Sequence, residues 1–456
     1  MNIRKITALT LILSILNINI FTSVFAIENN KAKAKKQETK MDYVNLDWWK
    51  GFSDEYLEEY IVKAVENNHD LKIATQRVEQ ARQATNIQLG SELPTLSVGA
   101  TPLLAKIPGM TSTEGFFSVP LIASYELDIF LKNRDKTRAM KKAYEAAKLQ
   151  EKSAHLTVAG AVGTLYYNIV KLDKIIDLQN ELITNREKIF ELMKLSNQEG
   201  IVSTADMLRA EKSYIFAVSD MQDLKKARES ALNAFCVLIG ETPNNSSQIK
   251  RISYDSIAVN KTIPETISSE VIVERPDYLA AQKLLEKAKI DVRVAKKEFL
   301  PTIDIAGLIN FSVTSLMGFN SMNWTNALAG LGLSGMLPVF TGGKRIANLK
   351  IQKSRYEEVL QNYYKTNLTS IQEVNDALSS LKLDDEKYQN NLKALNMENK
   401  DFEYSELKYE SGVISYLDLI QRKESLLVIE KMVTSSKIDT YIDQIGLYKA
   451  TAGVNL

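Results

Sequence analysis

Two hydrophobic periods alternate along this chain, and the switch between them divides it into elements. Phe117, Val119, Leu121, Ala123, Tyr125, Leu127 and Ile129 fall on one face of a run whose other face carries Ser118, Ser124, Glu126 and Asp128. Residues 302–313 repeat the pattern, with Ile303, Ile305, Ile309, Phe311 and Val313 set against Thr302, Asp304, Asn310 and Ser312. A period of two predicts strands with one apolar face. At about 12 residues each they are long enough to cross a bilayer when tilted. Residues 95–105 and 327–339 are weaker strand candidates. They complete two hairpins with tips at 106–115 and 314–325.

The rest of the chain reads as helix. None of the nine prolines falls in 121–242 or 339–456. Because proline breaks a helix interior, both stretches admit very long helices. One is expected from about Asp135 to Glu199, roughly 65 residues and on the order of 100 Å. Ile175, Leu178, Leu182, Ile189 and Leu192 form a heptad-like seam interrupted by Asn185. Ala210, Tyr214, Ala217, Met221, Phe235 and Leu238 supply a counterpart on a returning helix. An ordinary bundle core produces similar stripes, but helices of this length favour coiled-coil packing.

These elements occur twice. Asp70, Ala74, Glu79, Ala81, Leu93, Pro94 and Thr95 recur 207 positions later as Asp277, Ala281, Glu286, Ala288, Leu300, Pro301 and Thr302. Gly200, Ser203 and Asp206 recur as Gly412, Ser415 and Asp418. The expected organisation is a signal peptide at 1–26, a basic polar leader at 27–50, a first repeat at 51–262 and a second at 263–456. Each repeat reads as helix, β-hairpin and long helix pair.

Four strands cannot close a membrane barrel, and an open sheet edge in lipid leaves backbone groups unpaired. Strands that enter a membrane therefore require several copies of the chain to join. The competing reading is a soluble antiparallel sheet packed on helices.

Composition favours export. Arg4 and Lys5, the apolar stretch Ile6–Phe21 and Val24-Phe25-Ala26 fit a secretory signal. No cysteine follows it, so no lipid anchor is expected at the mature start. Elsewhere no run is long and apolar enough for a membrane-spanning helix. A net charge of +1 gives no indication of a nucleic-acid partner. Cys236, the single cysteine, lies in the apolar run Ala234–Ile239 and reads as a buried hydrophobe.

Several segments, in this order and spacing, resemble the TolC-like outer-membrane efflux proteins, specifically the branch serving resistance-nodulation-division pumps. They are Trp48-Trp49-Lys50-Gly51-Phe52, Asn67-Asn68-His69-Asp70-Leu71, Tyr125–Phe130, Glu274-Arg275-Pro276-Asp277, Phe299-Leu300-Pro301 and Leu337–Gly343. The resemblance implies a mixed α and β membrane protein. In a homotrimer, each subunit would give four strands to a 12-stranded outer-membrane barrel in outer-membrane lipid. A long periplasmic helical barrel would continue it, with residues 240–274 and the chain ends forming a belt. It further implies a periplasmic adaptor and a proton-driven inner-membrane pump as partners, and no cofactor.

The resemblance also assigns residues. Gly200, Ile201, Val202 and Ser203, with Gly412, Val413, Ile414 and Ser415, occupy the turns expected to meet the adaptor. Asp418 occupies a position facing the tube's constriction; Asp206 and Tyr409 occupy positions that tie the closed state. Ser203-x-x-Asp206 and Ser415-x-x-Asp418 equally fit helix caps, and one residue can do both. Ile414 and Gln421 stand where some members carry arginine and a second aspartate, so a gate tied in that manner is not expected. Glu126, Asp128 and Asp304 are candidate lumen residues from the alternation. Trp324, Phe311 and Phe116 are candidates for an interfacial aromatic girdle.

No catalytic constellation emerges. Gly330-x-Gly332-x-x-Gly335 has the dinucleotide spacing but opens no helix. Gly342-Gly343-Lys344 lacks the rest of a phosphate loop, and His69 and His155 have no ligand-spaced partners. Two alternatives stay open at this level: a type I protein-secretion conduit and a pore-free periplasmic coiled-coil scaffold.

Overall fold

The computed structural model describes residues 43–105, 114–257, 267–268, 270–313 and 327–453. The expected signal peptide, most of the leader, the hairpin-tip loops and Trp324 lie outside them, as do the side chains of Phe116 and Phe311. Helices α1 (Leu46–Lys50), α2 (Glu55–Asn67) and α3 (His69–Gly90) lead into strands β1 (Thr95–Val98), β2 (Thr101–Ala105) and β3 (Glu114–Leu127). Helices α4 (Lys132–Gln198), α5 (Thr204–Leu238), α6 (Glu270–Glu274) and α7 (Pro276–Lys297) follow. Strands β4 (Thr302–Val313) and β5 (Ala327–Met336) come next, then helices α8 (Lys344–Glu410) and α9 (Tyr416–Ala450). Corresponding helices match in length: α3 and α7 have 22 residues each, α4 and α8 67, α5 and α9 35. Among the described residues no helix is long and apolar enough to cross a membrane.

The described residues fall into two compact units. The first draws on 80–145 and 283–360 and holds the sheet. The sheet is antiparallel, in the order β1-β3-β4-β5, with β2 also on β3. Residues directly opposite each other share a face. Val98, Leu121, Ile309 and Ala329 therefore share one face with Ala123, Gly307 and Leu331, and with Tyr125, Ile305 and Leu333. The other face carries Thr95, Ser124 and Ala306, then Glu126, Asp304 and Ser334. On that face Ser118 donates to Asn310 at 2.6 Å.

Three strand boundaries differ from expectation, each for a local reason. The expected strand at 95–105 is two strands, because Pro120 on β3 has no amide hydrogen and its ring crowds the partner. Gly99 donates to the Pro120 carbonyl at 2.9 Å, and a Cβ on Gly99 would lie 3.1 Å from the proline ring. Strand β5 stops at Met336 rather than Val339, since Pro338 can neither pair nor leave Leu337 free. Strand β3 stops at Leu127, so Asp128 is not a strand residue. Its carboxylate instead accepts from the amides of Asn133 at 3.0 Å and Arg134 at 2.8 Å, capping α4.

Asp135 fixes that helix start to the end of α7. It is 1% exposed and takes Arg293 at 2.7 Å and Lys297 at 2.6 Å. Burial pushes its pKa up, but the hydrogen bonds from Arg293 and Lys297 outweigh it and hold the group at about 2.

The second unit draws on 40–79, 146–282 and 361–456. Its core gathers Trp49, Leu57 and Ile61 from the N-terminal helices, Tyr166 and Tyr167 from α4, Phe235 and Cys236 from α5, and Tyr441 and Tyr448 from α9. Trp48 stacks on Tyr448 at 4.2 Å, and Trp49 meets the same ring edge-on at 5.2 Å. A Cβ on Gly163 would lie 2.7 Å from Trp49 and 2.9 Å from Ile445, so α4 can approach only as glycine there. Hydroxyls sew in the irregular stretch after α5: Tyr60 accepts from the Lys250 amide and Tyr166 from the Ile252 amide, both at 2.9 Å. Buried Arg275 donates to the Ala450 carbonyl at 2.9 Å, to Asp277 at 2.7 Å and to Glu373 at 2.6 Å. Within the segment expected as a belt, the described residues 249–257 thus share one core with both ends of the described chain. Cys236 is fully buried as expected. His155 is buried against the Tyr43 ring, and the glycine triad Gly330–Gly335 lies inside β5.

Replacing Asp135 with Asn should cost about 2–3 kcal/mol, because it removes the charge-assisted hydrogen bonds that Arg293 and Lys297 make to a buried carboxylate. A carboxylate held below its ordinary pKa stabilises fully above about pH 4, and that stability fades as pH falls through about 2. Thermal melts followed by circular dichroism should therefore show a gap between wild type and Asp135→Asn at pH 6 that closes towards pH 2.

Candidate gate and partner-contact turns

The two turns joining the long helices are built alike. Each spans five residues, between α4 and α5 and between α8 and α9. Gly200 and Gly412 adopt φ of +71° and +72°, the left-handed conformation that ends a helix. The amide of Ile201 donates to the Ser196 carbonyl and that of Val413 to Lys408, both at 2.8 Å. Gly200 bonds to Asn197 and Gly412 to Tyr409, completing the same closure at each end. The chain then enters the next helix through a serine cap. The Asp206 amide donates to the Ser203 hydroxyl, and the Asp418 amide to that of Ser415, each at 3.1 Å. Ile201 is 75% exposed and Val413 70%, far more than capping alone requires of an aliphatic residue. Val202 and Ile414 are half-buried.

Both acids beside these turns bond the capping serine, and Asp418 alone completes the reciprocal box. Asp418 accepts from the Ser415 amide at 3.0 Å and from its hydroxyl at 2.6 Å, a complete reciprocal box. Those hydrogen bonds from Ser415, side chain first, hold its carboxyl below the usual range, with help from Arg422. It is nonetheless exposed and charged. Asp206 accepts from the Ser203 hydroxyl at 2.7 Å and from Arg209 at 2.9 Å on its own helix. The Tyr409 ring packs against Tyr416 at 5.6 Å. Glu126 and Asp304 are brought together, directly opposite in register, with Lys132 at 2.7 Å from Glu126 relieving the like charges.

Sequence reasoning missed the residues that join the two helix pairs. Arg186 on α4 donates to Glu424 on α9 at 2.6 and 2.8 Å and to the Ser213 carbonyl on α5 at 3.2 Å, so one guanidinium ties three helices. Around it Asn185 donates to the Ile420 carbonyl at 2.8 Å, Gln179 donates to the Ala217 carbonyl at 2.7 Å, and Lys431 bonds Gln179. Leu178, Leu182 and Leu427 form the apolar seam beside this ladder. The break at Asn185 was the visible signal, a polar residue in an apolar stripe with a carbonyl to satisfy.

Comparison with known proteins agrees with this architecture. The family model described as outer membrane efflux protein matches residues 60–241 and 267–453. The chain belongs to that family. It is 25% identical to the cation efflux system protein CusC of Escherichia coli K12 over 90% of both chains. It is 24% identical to the probable outer membrane lipoprotein SilC of Salmonella typhimurium, covering 90% of this chain and 88% of that one. The crystal structure of the Campylobacter jejuni CmeC outer membrane channel superposes with a TM-score of 0.82 at 25% identity, over 90% of this chain and 88% of that one. The protein is an outer-membrane efflux channel component, and the pore-free scaffold is set aside.

Arg186→Met and Glu424→Gln should each lower the melting midpoint of the detergent-extracted protein. The double variant should fall little below Arg186→Met, because both single changes remove the same ion pair, worth about 1–2 kcal/mol, while Arg186→Met alone also loses the Ser213 bond. Additive losses would show that the two residues act separately.

Proposed function

We propose that three copies of this chain close a 12-stranded barrel in the outer membrane and a helical tube beneath it, as the channel of a tripartite efflux system. The two repeats occupy equivalent places around that assembly, an arrangement supported by their helices of 22, 67 and 35 residues. The single observation carrying the reading is the sheet: one apolar face, one mostly polar face, and outer strands β1 and β5 each paired on one side only. The polar face lines the bore, with Glu126 and Asp304 at its helix end.

The channel supplies no chemistry. A proton-driven inner-membrane pump provides energy, a periplasmic adaptor connects it to the channel, and cargo moves passively through water. The adaptor docks on the turns Gly200–Ser203 and Gly412–Ser415, where Ile201 and Val413 offer apolar contact on rigid supports. Asp418, capped and ionised, contributes one carboxylate per subunit to the constriction. Asp206 and Tyr409 brace the helix ends beside it, and the Arg186–Glu424 tie holds the helix pairs together until the adaptor engages.

Ile201→Glu and Val413→Glu should each abolish export in a deletion strain while leaving oligomers of normal size in the outer membrane. Normal export by such oligomers would overturn the adaptor contact.

A further inference from the structure

We propose that the starts of the two long helices form a basic collar that binds anionic phospholipid headgroups at the edge of the barrel. This rests on the reading of the strands as membrane-spanning.

The same pattern follows both strand ends. After β3 come exposed Ile129, Phe130 and Leu131; after β5 come exposed Leu337, Val339 and Phe340, the last two 89% exposed. Charge follows at once. Residues 132–144 hold six cations and one acid, Asp135, which is buried beneath Arg293 and Lys297. Residues 344–356 hold five cations and no acid. Arg134, Arg138 and Lys141 are exposed at helical spacing on one side of α4, and Lys344, Lys350 and Lys353 are exposed on α8. Apolar side chains beside basic ones whose stems lie along the boundary suit a membrane interface. These residues begin within about three turns of the strand ends, roughly 15 Å.

Cations in the first turns of a helix oppose its dipole, where acids are favoured. Helix α8 has no acidic residue in its first turn. Helix α8 breaks this rule without compensation, which marks a surface selected for something other than helix stability; α4 keeps Asp135 and the Asp128 cap at its start but still carries six cations against one acid over 132–144. Phosphate-bearing lipid supplies the missing negative charge and, unlike an acidic protein, also accommodates Phe340 and Val339. Each basic residue near an anionic surface strengthens binding several-fold.

The test reconstitutes the full-length assembly in phosphatidylcholine, and in phosphatidylcholine with phosphatidylglycerol, recording channel activity and the lipid retained after detergent extraction. We expect channels in both lipids. Phosphatidylglycerol should be retained at least tenfold over phosphatidylcholine at low salt, and the preference should collapse at 1 M salt. Combining Arg134→Gln, Lys141→Gln, Lys344→Gln and Lys350→Gln should remove it; the three Lys→Arg changes alone should not. If the glutamine variant does not assemble, the salt titration of the wild type decides the matter. Equal retention of the two lipids by conducting channels, or a glutamine variant that keeps the preference, would overturn the collar. Absence of channels in both lipids would remove the barrel reading and the collar with it.

Discussion

A backbone amide or carbonyl left unpaired in hydrocarbon costs several kcal/mol, and this chain's sheet exposes two such rows. Among the described residues β1 and β2 border the sheet on one side and β5 on the other, each bonded on one side only. A soluble protein manages an open edge with charge, proline or a bulge. Here β5 has no charged residue, and its exposed positions include Leu331 at 83% and Leu333 at 71%. In lipid such an edge would need another copy to cover it, which the proposed trimer supplies. The one-sided apolar face of the sheet answers to the same surroundings.

The structure spends its strongest local interactions where the chain changes from one regime to the other. Asp128 and Asp135 hold the start of α4 below the sheet, each taking two or more partners. Arg275, Trp49 and Tyr448 anchor the other unit by gathering segments far apart in sequence. Past that core, towards the Gly200 turn, the long helices meet over the thin seam Leu178–Leu182–Leu427, with the Arg186 ladder alongside.

Much of this was legible in the sequence because the signals are periodic. Alternation at 117–127 and 303–309, proline-free stretches and the matched Gly–Ser turns reflect local rules that need no tertiary knowledge. The errors fell where a single residue overrides the period. Pro120 splits the opposing strand at Gly99, and Asp128 leaves the strand because a helix start with free amides lies five residues on. The turn residues were found, since glycine and serine announce helix ends. The Arg186–Glu424 tie was not: the polar break at Asn185 signals a contact beside it, but the partner lies 238 positions away and no local pattern names it.

The account stands or falls on how many chains share the sheet. Native mass measurement of the protein, extracted from membranes in mild detergent with its strands intact, tests that directly. The account predicts a mass of three chains and a conducting pore in bilayers. A single chain with folded strands and no conductance would contradict it.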